Sequence, residues 1–241
     1  MTTIVNLEEL IATTSDKDGV KRRVLADDGL TMQAELLALA PQALCTETVP
    51  GTADRYWFVL SGLGKIGDGA HAHALVSRTF AIAPQGATVS ITNTGETPLV
   101  LVAIVSPLPG SGVEIEGYTG PLHTVRAADV TLADEPQNKK QRAHFVGRKA
   151  IRSGRADGMI VHYVSETVTN PHRHPDADSI FVVLEGALTF VNGREETELR
   201  PGQAAFINAG HRHGTRVPQG HAGAAFLEFH VPARFETIQD P

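Results

Sequence analysis

The feature that most constrains this chain is a series of short apolar segments, separated by Gly, Pro, Asn and Asp, that repeats along the sequence. Residues 59–62 read VLSG and residues 183–186 read VLEG, and the same offset of 124 residues places Trp57 on Phe181. Short apolar runs with turn residues between them are typical of strands in barrels and sandwiches. We expect the glycine that ends each matched segment where the chain turns back and no side chain fits. The repeat predicts an all-β chain made of two copies of one barrel.

The domain organisation follows from changes in composition along the chain. Residues 1–30 are mixed and mostly polar, and we expect them to form an N-terminal arm. The pattern of short apolar runs predicts one barrel over residues 31–120 and another over residues 149–241. Residues 121–148 contain a polar and charged run, and this composition predicts a linker between the two barrels.

Composition and charge narrow the classes of partner. A hydrophobic content of 41% and a charged content of 20% are ordinary for a globular protein. The net charge of −6, without a run dense in Lys and Arg, argues against nucleic acid and anionic membranes, because both bind a basic face. Cys45 is the only cysteine, which excludes an intrachain disulfide and a thiolate metal cluster. With neither a basic, apolar leader nor an apolar run of about 18–20 residues, we expect a cytoplasmic protein that has no membrane partner.

Two histidine pairs lie beside predicted strands of the second barrel. His172 and His174 precede the apolar run 180–184, and residues two apart on an extended segment point to the same face, about 6.6–6.8 Å apart. Their imidazoles can therefore converge on one ion. The second pair, His211 and His213, follows the apolar run 204–207. If the two runs pair, His213 completes a site of three nitrogens inside a β-barrel.

These motifs resemble those of the cupin superfamily, in particular its two-barrel members. The family's first motif is His-x-His, then an acidic residue, then Gly, and its second is Pro-x-Gly-x-x-His. The positions that match are His172, His174, Gly186, Gly202 and His213. The resemblance implies two jelly-roll barrels, also called double-stranded β-helices, together with a divalent metal, a small-molecule substrate and a homodimer.

The resemblance implies that His172, His174 and His213 bind the metal, but it leaves a fourth ligand open. Ser179 stands where many cupins carry a glutamate ligand. Asp178 is adjacent, although neighbouring residues of a strand face opposite sides, so it would reach the ion only from a looped segment. We favour three histidines, as in cupins that resemble gentisate, β-diketone and thiol dioxygenases, with Ser179, Asp178 or water as alternatives for the fourth position.

In the first barrel, the positions that lie 124 residues before the three histidines carry residues that do not bind a metal. These residues are Thr48, Pro50 and Val89. We therefore expect a metal-free N-terminal barrel. Its interior is expected to contain Tyr56, Trp57, Phe58 and Phe80. A further pair, His71 and His73, lies off the pattern and is expected to be exposed to solvent.

Three functions remain open for the metal site. A neutral three-histidine set leaves the full charge on the ion, which suits an anionic or enolisable substrate. With Fe(II), which we favour, a small chelating diketone or phenolic substrate and O₂ would fit a dioxygenase. With Mn, Ni or Zn the ion would be a Lewis acid, as in an isomerase, lyase or hydrolase that acts on a sugar or organic acid. The third alternative is a two-barrel protein that binds a ligand without turnover.

Four further residues are candidates for acid–base catalysis. His162 and Tyr163 lie on the strand before His172, and one of the two must face inward. Glu228 and His230 share one face of the last strand. If that face is inward, both groups can exchange protons with a bound substrate.

Overall fold

The computed structural model describes residues 1–26, 29–147 and 149–239. These residues form two β-barrels, each made of two antiparallel sheets, which pack against each other. The prediction of an all-β protein with two jelly-roll barrels is confirmed. The described residues contain one α-helix, α1 (Leu7–Thr13), and two short 3-10 helices.

The elements follow one another in this order. The first strands are β1 (Thr2–Asn6), β2 (Asp16–Lys17) and β3 (Val20–Val24), with α1 between β1 and β2. Eight strands follow, β4 (Gln33–Leu39), β5 (Leu44–Thr48), β6 (Asp54–Ser61), β7 (Gly64–Gly67), β8 (Ala72–Leu75), β9 (Thr79–Ala83), β10 (Thr88–Asn93) and β11 (Leu99–Ser106). The connecting segment contains β12 (His123–Arg126), a 3-10 helix (Ala127–Asp129), β13 (Ala133–Glu135) and a second 3-10 helix (Pro136–Asn138). The remaining strands are β14 (Lys140–Val146), β15 (Asp157–Val164), β16 (Val168–Arg173), β17 (Asp178–Gly186), β18 (Leu188–Asn192), β19 (Glu195–Leu199), β20 (Gln203–Ile207), β21 (His213–Arg216), β22 (Gly223–Val231) and β23 (Ile238–Gln239).

Each barrel combines a seven-stranded sheet with a smaller one. In the N-terminal barrel the strand orders are β12-β9-β6-β11-β4-β3-β2 and β5-β10-β7-β8. In the C-terminal barrel they are β1-β20-β17-β22-β15-β14-β13 and β19-β18-β21-β16-β23. The two seven-stranded sheets face each other, and their outer faces form one large apolar cluster. Each barrel also has its own apolar interior.

Alternation along β6 decides which aromatic side chains fill the first barrel. Trp57 points into the barrel, whereas Tyr56 and Phe58 point the other way and belong to the cluster between the barrels. Phe80 on β9 also lies in that cluster, with its ring centroid 5.3 Å from that of Phe145. The expectation that all four aromatic residues fill the barrel interior is therefore correct for Trp57 alone. Neighbouring strand residues face opposite sides, and both sides of this sheet are buried.

The terminal and connecting segments add strands to both barrels. Within residues 1–30, β1 pairs with β20 of the C-terminal barrel and β3 pairs with β4 of the N-terminal barrel. The predicted arm thus lies along both barrels of the same chain. Within residues 121–148, β12 pairs with β9 and β14 pairs with β15. The predicted linker therefore supplies strands to both large sheets, with β12 at the edge of one and β13, next to β14, at the edge of the other.

The matched glycines close the turns after β6 and β17. Gly62 has a φ of 89° and Gly186 a φ of 70°. A Cβ atom at Gly186 would overlap the carbonyl oxygen of Gly223, and one at Gly62 would lie 2.7 Å from Cα of Leu99. Both positions therefore require glycine for the same reason in both repeats. Among the described residues, no helix has the length and apolar character needed to span a membrane.

Candidate metal centre

Three histidines from two neighbouring strands meet inside the C-terminal barrel. His172 lies on β16 opposite His213, the first residue of β21, and His174 follows the end of β16. The centroids of the rings are 4.5 Å apart for His172 and His213, 4.9 Å for His172 and His174, and 5.3 Å for His174 and His213. One ring nitrogen of each histidine lies within 4.8 Å of the others. The structure thus brings the three predicted ligands together.

The main chain fixes the tautomer of all three rings. Each Nδ1 makes a hydrogen bond with a backbone carbonyl oxygen. The acceptors are Asn170 at 2.8 Å from His172, Glu236 at 3.0 Å from His174 and His211 at 3.1 Å from His213. Because a carbonyl oxygen can only accept, each Nδ1 carries a proton and each neutral ring keeps a lone pair on Nε2. Metal-binding histidines are held in this way in proteins.

Burial keeps the three rings neutral. Burial, with the neighbouring histidine rings, lowers the pKa of His213 to about 3 and that of His174 to about 4. Burial also lowers the pKa of His172, although its hydrogen bond to Asn170 opposes the shift. A metal binds the neutral imidazole. The cluster is therefore in its ligating form at neutral pH.

The donor set fits a divalent transition metal. The Nε2 atom of His213 is buried and has no hydrogen-bond partner among the described residues. An unpaired buried nitrogen is unfavourable unless a ligand or ion satisfies it. Three imidazole nitrogens suit Fe, Ni, Cu or Zn, and three protein ligands leave further coordination positions for substrate or water. The cluster thus supports a divalent metal without identifying the element.

Asp178 does not belong to this group. Its carboxylate accepts hydrogen bonds from the backbone N–H groups of Leu30 at 2.7 Å, Thr31 at 2.6 Å and Ala209 at 2.8 Å. Ser179, the next residue of β17, points to the opposite side, as alternation along a strand requires. The alternative in which Asp178 supplies a fourth ligand is therefore wrong, because its side chain holds a loop on the outer face of the sheet.

A hydrogen-bonded chain of three side chains lies beside the cluster. The hydroxyl of Ser179 is 2.7 Å from Nδ1 of His230, and Nε2 of His230 is 3.0 Å from Oε1 of Glu228. The ring of His230 is 5.0 Å from that of His174. Burial raises the pKa of Glu228, but the hydrogen bond and charge of His230 outweigh this and lower it to about 2. Glu228 and His230 therefore face inward, next to the predicted ligands.

Tyr163 and His162 point to opposite sides of β15. The hydroxyl of Tyr163 lies inside the barrel, 2.6 Å from Oγ1 of Thr169 and 3.0 Å from Oγ1 of Thr215. Burial raises the pKa of Tyr163 to about 12, so the phenol stays protonated. His162 faces the groove that also contains Arg78, on the far side of the sheet. His162 is thus separated from the three histidines, whereas Tyr163 lines the same interior.

The C-terminal segment covers the cluster, which no sequence pattern predicted. The ring of Phe235 lies 4.6 Å from that of His174 and 4.4 Å from that of His230. The next residue, Glu236, supplies the carbonyl that holds His174, and β23 pairs with β16 at Arg173. A carbonyl acceptor is present in every residue, so no side-chain pattern could identify Glu236.

The first barrel has an ionic cluster near the equivalent place. Arg55, which matches Ser179 in the repeat, is buried and pairs with Glu35 and with Glu47, the latter at 3.2 Å. The guanidinium of Arg22 also pairs with Glu35 and Glu47. Val89 is buried among apolar residues. In the described part of the chain, the cluster of the second barrel is the one group of three suitable side chains close enough to share a metal.

The remaining histidine pair lies on β8 and the loop before it. His71 is 48% exposed and its Nδ1 is 3.2 Å from a carboxylate oxygen of Asp68. His73 is half-buried, and its Nε2 atom is enclosed without a hydrogen-bond partner in the described structure. The expectation of solvent exposure therefore describes His71 but not His73.

Comparison with protein-family models finds a match to the Cupin domain family over residues 159–228. This stretch runs from β15 into β22 and contains all three histidines of the cluster. Comparison with curated proteins finds no match.

Solved structures resemble the chain over almost its whole length. A putative glyoxylate-induced protein from Pseudomonas aeruginosa superimposes with a TM-score of 0.73 and 17% identity, covering 97% of this chain and 90% of that one. A cupin 2 conserved barrel domain protein from Leptotrichia buccalis gives 0.70 and 17%, covering 95% and 96%. Salicylate 1,2-dioxygenase from Pseudoaminobacter salicylatoxidans, with gentisate, gives 0.78 and 12%, covering 100% and 85%. At these identities the similarity shows a shared fold.

Proposed function

Because the chain is a two-barrel protein of the cupin superfamily, we propose that it is a metal-dependent enzyme in which His172, His174 and His213 bind the ion. The observation that carries the proposal is the fixed tautomer of the three rings, which directs three lone pairs to one place. The expected ion is Fe(II), and the expected reaction is a dioxygenation of a small chelating molecule, such as a diketone or a phenolic compound. Fe(II) at this site would supply redox chemistry with O₂ and positions for a bidentate substrate.

Two observations support the dioxygenase over the other functions. No carboxylate among the described residues lies within the ligand group, which leaves the full charge of the ion to attract an anionic chelator. The fold similarity to salicylate 1,2-dioxygenase extends over the full length of this chain. The protein's own residues would close the site, since Phe235 covers His174 and His230 on one side.

A non-redox reaction is the second candidate, supported by the chain of Ser179, His230 and Glu228. Nε2 of His230 donates a hydrogen bond to the carboxylate of Glu228, and Nδ1 of His230 shares a hydrogen bond with the hydroxyl of Ser179. A carboxylate that orients an imidazole is a common arrangement for proton transfer. Such a group beside Mn, Ni or Zn would suit an isomerase, lyase or hydrolase acting on a sugar or an organic acid.

Metal analysis tests the proposal. The protein is purified without chelators, and its divalent metal content is measured beside that of His213→Ala and His211→Ala. His211 is exposed and offers only its main-chain carbonyl, so His211→Ala should retain the metal while His213→Ala loses it. Equal metal content in both variants, or none in the native protein, would refute the proposal. Oxygen uptake by the Fe(II)-loaded protein with diketones and phenolics then distinguishes a dioxygenase from an enzyme whose turnover is unchanged without oxygen.

A further inference from the structure

A small polar cavity of about 160 Å³ adjoins the candidate metal centre. His230 and Phe235 line the end of the cavity nearest the cluster, since both rings also contact His174. From there the cavity extends across the inner face of the large sheet. Register places Glu228 on β22 opposite Met159 on β15, and Met159 opposite His144 on β14. Two strand spacings amount to roughly 9–10 Å, so the far end of the cavity lies that distance from β22.

His144, at the far end, has unused hydrogen-bonding capacity. Its side chain is only 10% exposed, and neither ring nitrogen has a hydrogen-bond partner among the described residues. The nearest charged group is Asp157, whose Oδ1 lies 3.8 Å from Nδ1, beyond hydrogen-bonding distance. Buried polar atoms are almost always paired, so two unpaired atoms on one ring indicate that something else binds there.

The walls of the cavity select an uncharged group. A neutral imidazole has one N–H donor and one lone pair. A carboxylate can only accept hydrogen bonds and an ammonium can only donate them. The cavity is lined by two carboxylates and two cations, so neither sign of charge is favoured there; these residues are Asp157, Glu228, Arg142 and Lys149. A hydroxyl or primary amide both donates and accepts, so it can pair with the ring nitrogen that faces it whether that atom carries the proton or the lone pair.

We infer that this cavity binds the far end of the metal-bound molecule, and that His144 selects an uncharged group there which both donates and accepts hydrogen bonds, such as a hydroxyl or a primary amide. The inference rests on the proposed metal centre and narrows its substrate class. The substrate would thus be a chelator at one end and an uncharged polar group at the other. His144 acts as a specificity-determining residue.

Four matched chelators test the inference on the full-length protein loaded with Co(II). They are hydroxamates of equal chain length that end in a methyl group, a primary amide, a carboxylate or an ammonium. Binding is followed by the change in the visible absorption of Co(II). We expect the amide-ended probe to bind about ten-fold tighter than the methyl-ended one, the effect of one or two additional buried hydrogen bonds. The two charged probes should bind no tighter than the methyl-ended probe.

Variants then assign the preference to His144. His144→Phe should abolish the preference for the amide and leave the Co(II) content and the affinity for the methyl-ended probe unchanged. His144→Gln, which keeps a donor and an acceptor, should retain most of the preference. His162→Phe is the matched control, because His162 is a half-buried histidine of the same sheet on its other face.

The outcomes separate this inference from the proposed function. The inference alone is overturned if the native protein binds Co(II) but prefers a charged probe or shows no preference. It is also overturned if the His144→Phe variant keeps the preference for the amide-ended probe. Failure of the native protein to bind Co(II) through the three histidines overturns both.

Discussion

Asp54 and Asp178 occupy equivalent positions in the two barrels, as the first residues of β6 and β17, and both carboxylates are fully buried. Asp54 accepts hydrogen bonds from the backbone of Tyr118 at 2.8 Å and from the guanidinium of Arg155 at 2.9 Å. Asp178 accepts from the backbone of Thr31 at 2.6 Å. Each aspartate thus fastens a connecting segment to the end of a barrel, and the role of Asp178 is structural.

Replacing Asp178 by Ala should destabilise the protein without removing its metal. The change leaves several partly buried N–H groups without an acceptor, and we expect a loss of about 3 kcal/mol in the free energy of unfolding. Glu185→Ala, on the exposed end of the same strand, should cost less than about 1 kcal/mol. Urea unfolding and metal analysis measure both quantities. Loss of metal in a folded Asp178→Ala protein would contradict the structural role.

Removal of the metal from the three histidines should lower the melting temperature of the protein. A ligand that binds only the folded state stabilises it by about 2.7 kcal/mol at a free concentration of 100 times its Kd. Calorimetry before and after dialysis against a chelator should therefore show a clear decrease in Tm for the native protein. His213→Ala should melt at the same temperature in both conditions. A chelator effect that persists in His213→Ala would place the ion elsewhere.

The sequence predicted those parts of the fold and site that depend on local pattern. Short apolar runs and the repeat predicted two barrels, and the spacing of His172 and His174 predicted rings on one face. The pattern could not assign the outward face of a strand, since Tyr56 and Phe58 are as buried as Trp57 once a second barrel covers that sheet. Phe235 reaches the cluster, and His144 reaches the cavity beside it, through strand pairings and chain returns that sequence spacing does not predict.

Removing the C-terminal segment should weaken metal binding through His174. A chain that ends at Arg234 lacks the carbonyl of Glu236, which accepts a hydrogen bond from Nδ1 of His174. Loss of such an orienting partner typically weakens metal affinity by about 10–100-fold. Glu236→Ala is the matched control, because it removes the side chain but keeps the carbonyl, and its affinity should stay at the native value. Competition with a coloured chelator measures the three affinities. Equal affinities for the truncated and native proteins would show that the segment does not hold His174.

The ionic cluster of the first barrel should make stability depend on acidity. Burial raises the pKa of Glu35, but its ion pairs with Arg55 and Arg22 outweigh this and hold the pKa below its usual value of 4.5. The folded state therefore binds this proton less readily than the unfolded state. The resulting stability is fully present above about pH 4.5 and is lost as the pH falls through the pKa of the folded protein.

The Glu35→Gln variant lacks this titrating group, so its free energy of unfolding should decrease less steeply below about pH 4.5 than that of the native protein. At pH 7 the variant should be less stable, because the two guanidinium groups lose a charged partner. Urea titrations between about pH 3 and pH 7 measure the effect. Glu196→Gln provides the comparison, because its salt bridge with Arg216 is half exposed and water screens it. If Glu35→Gln and the native protein lose stability in parallel as the pH falls, the ion pairs with Arg55 and Arg22 do not set the pKa of Glu35.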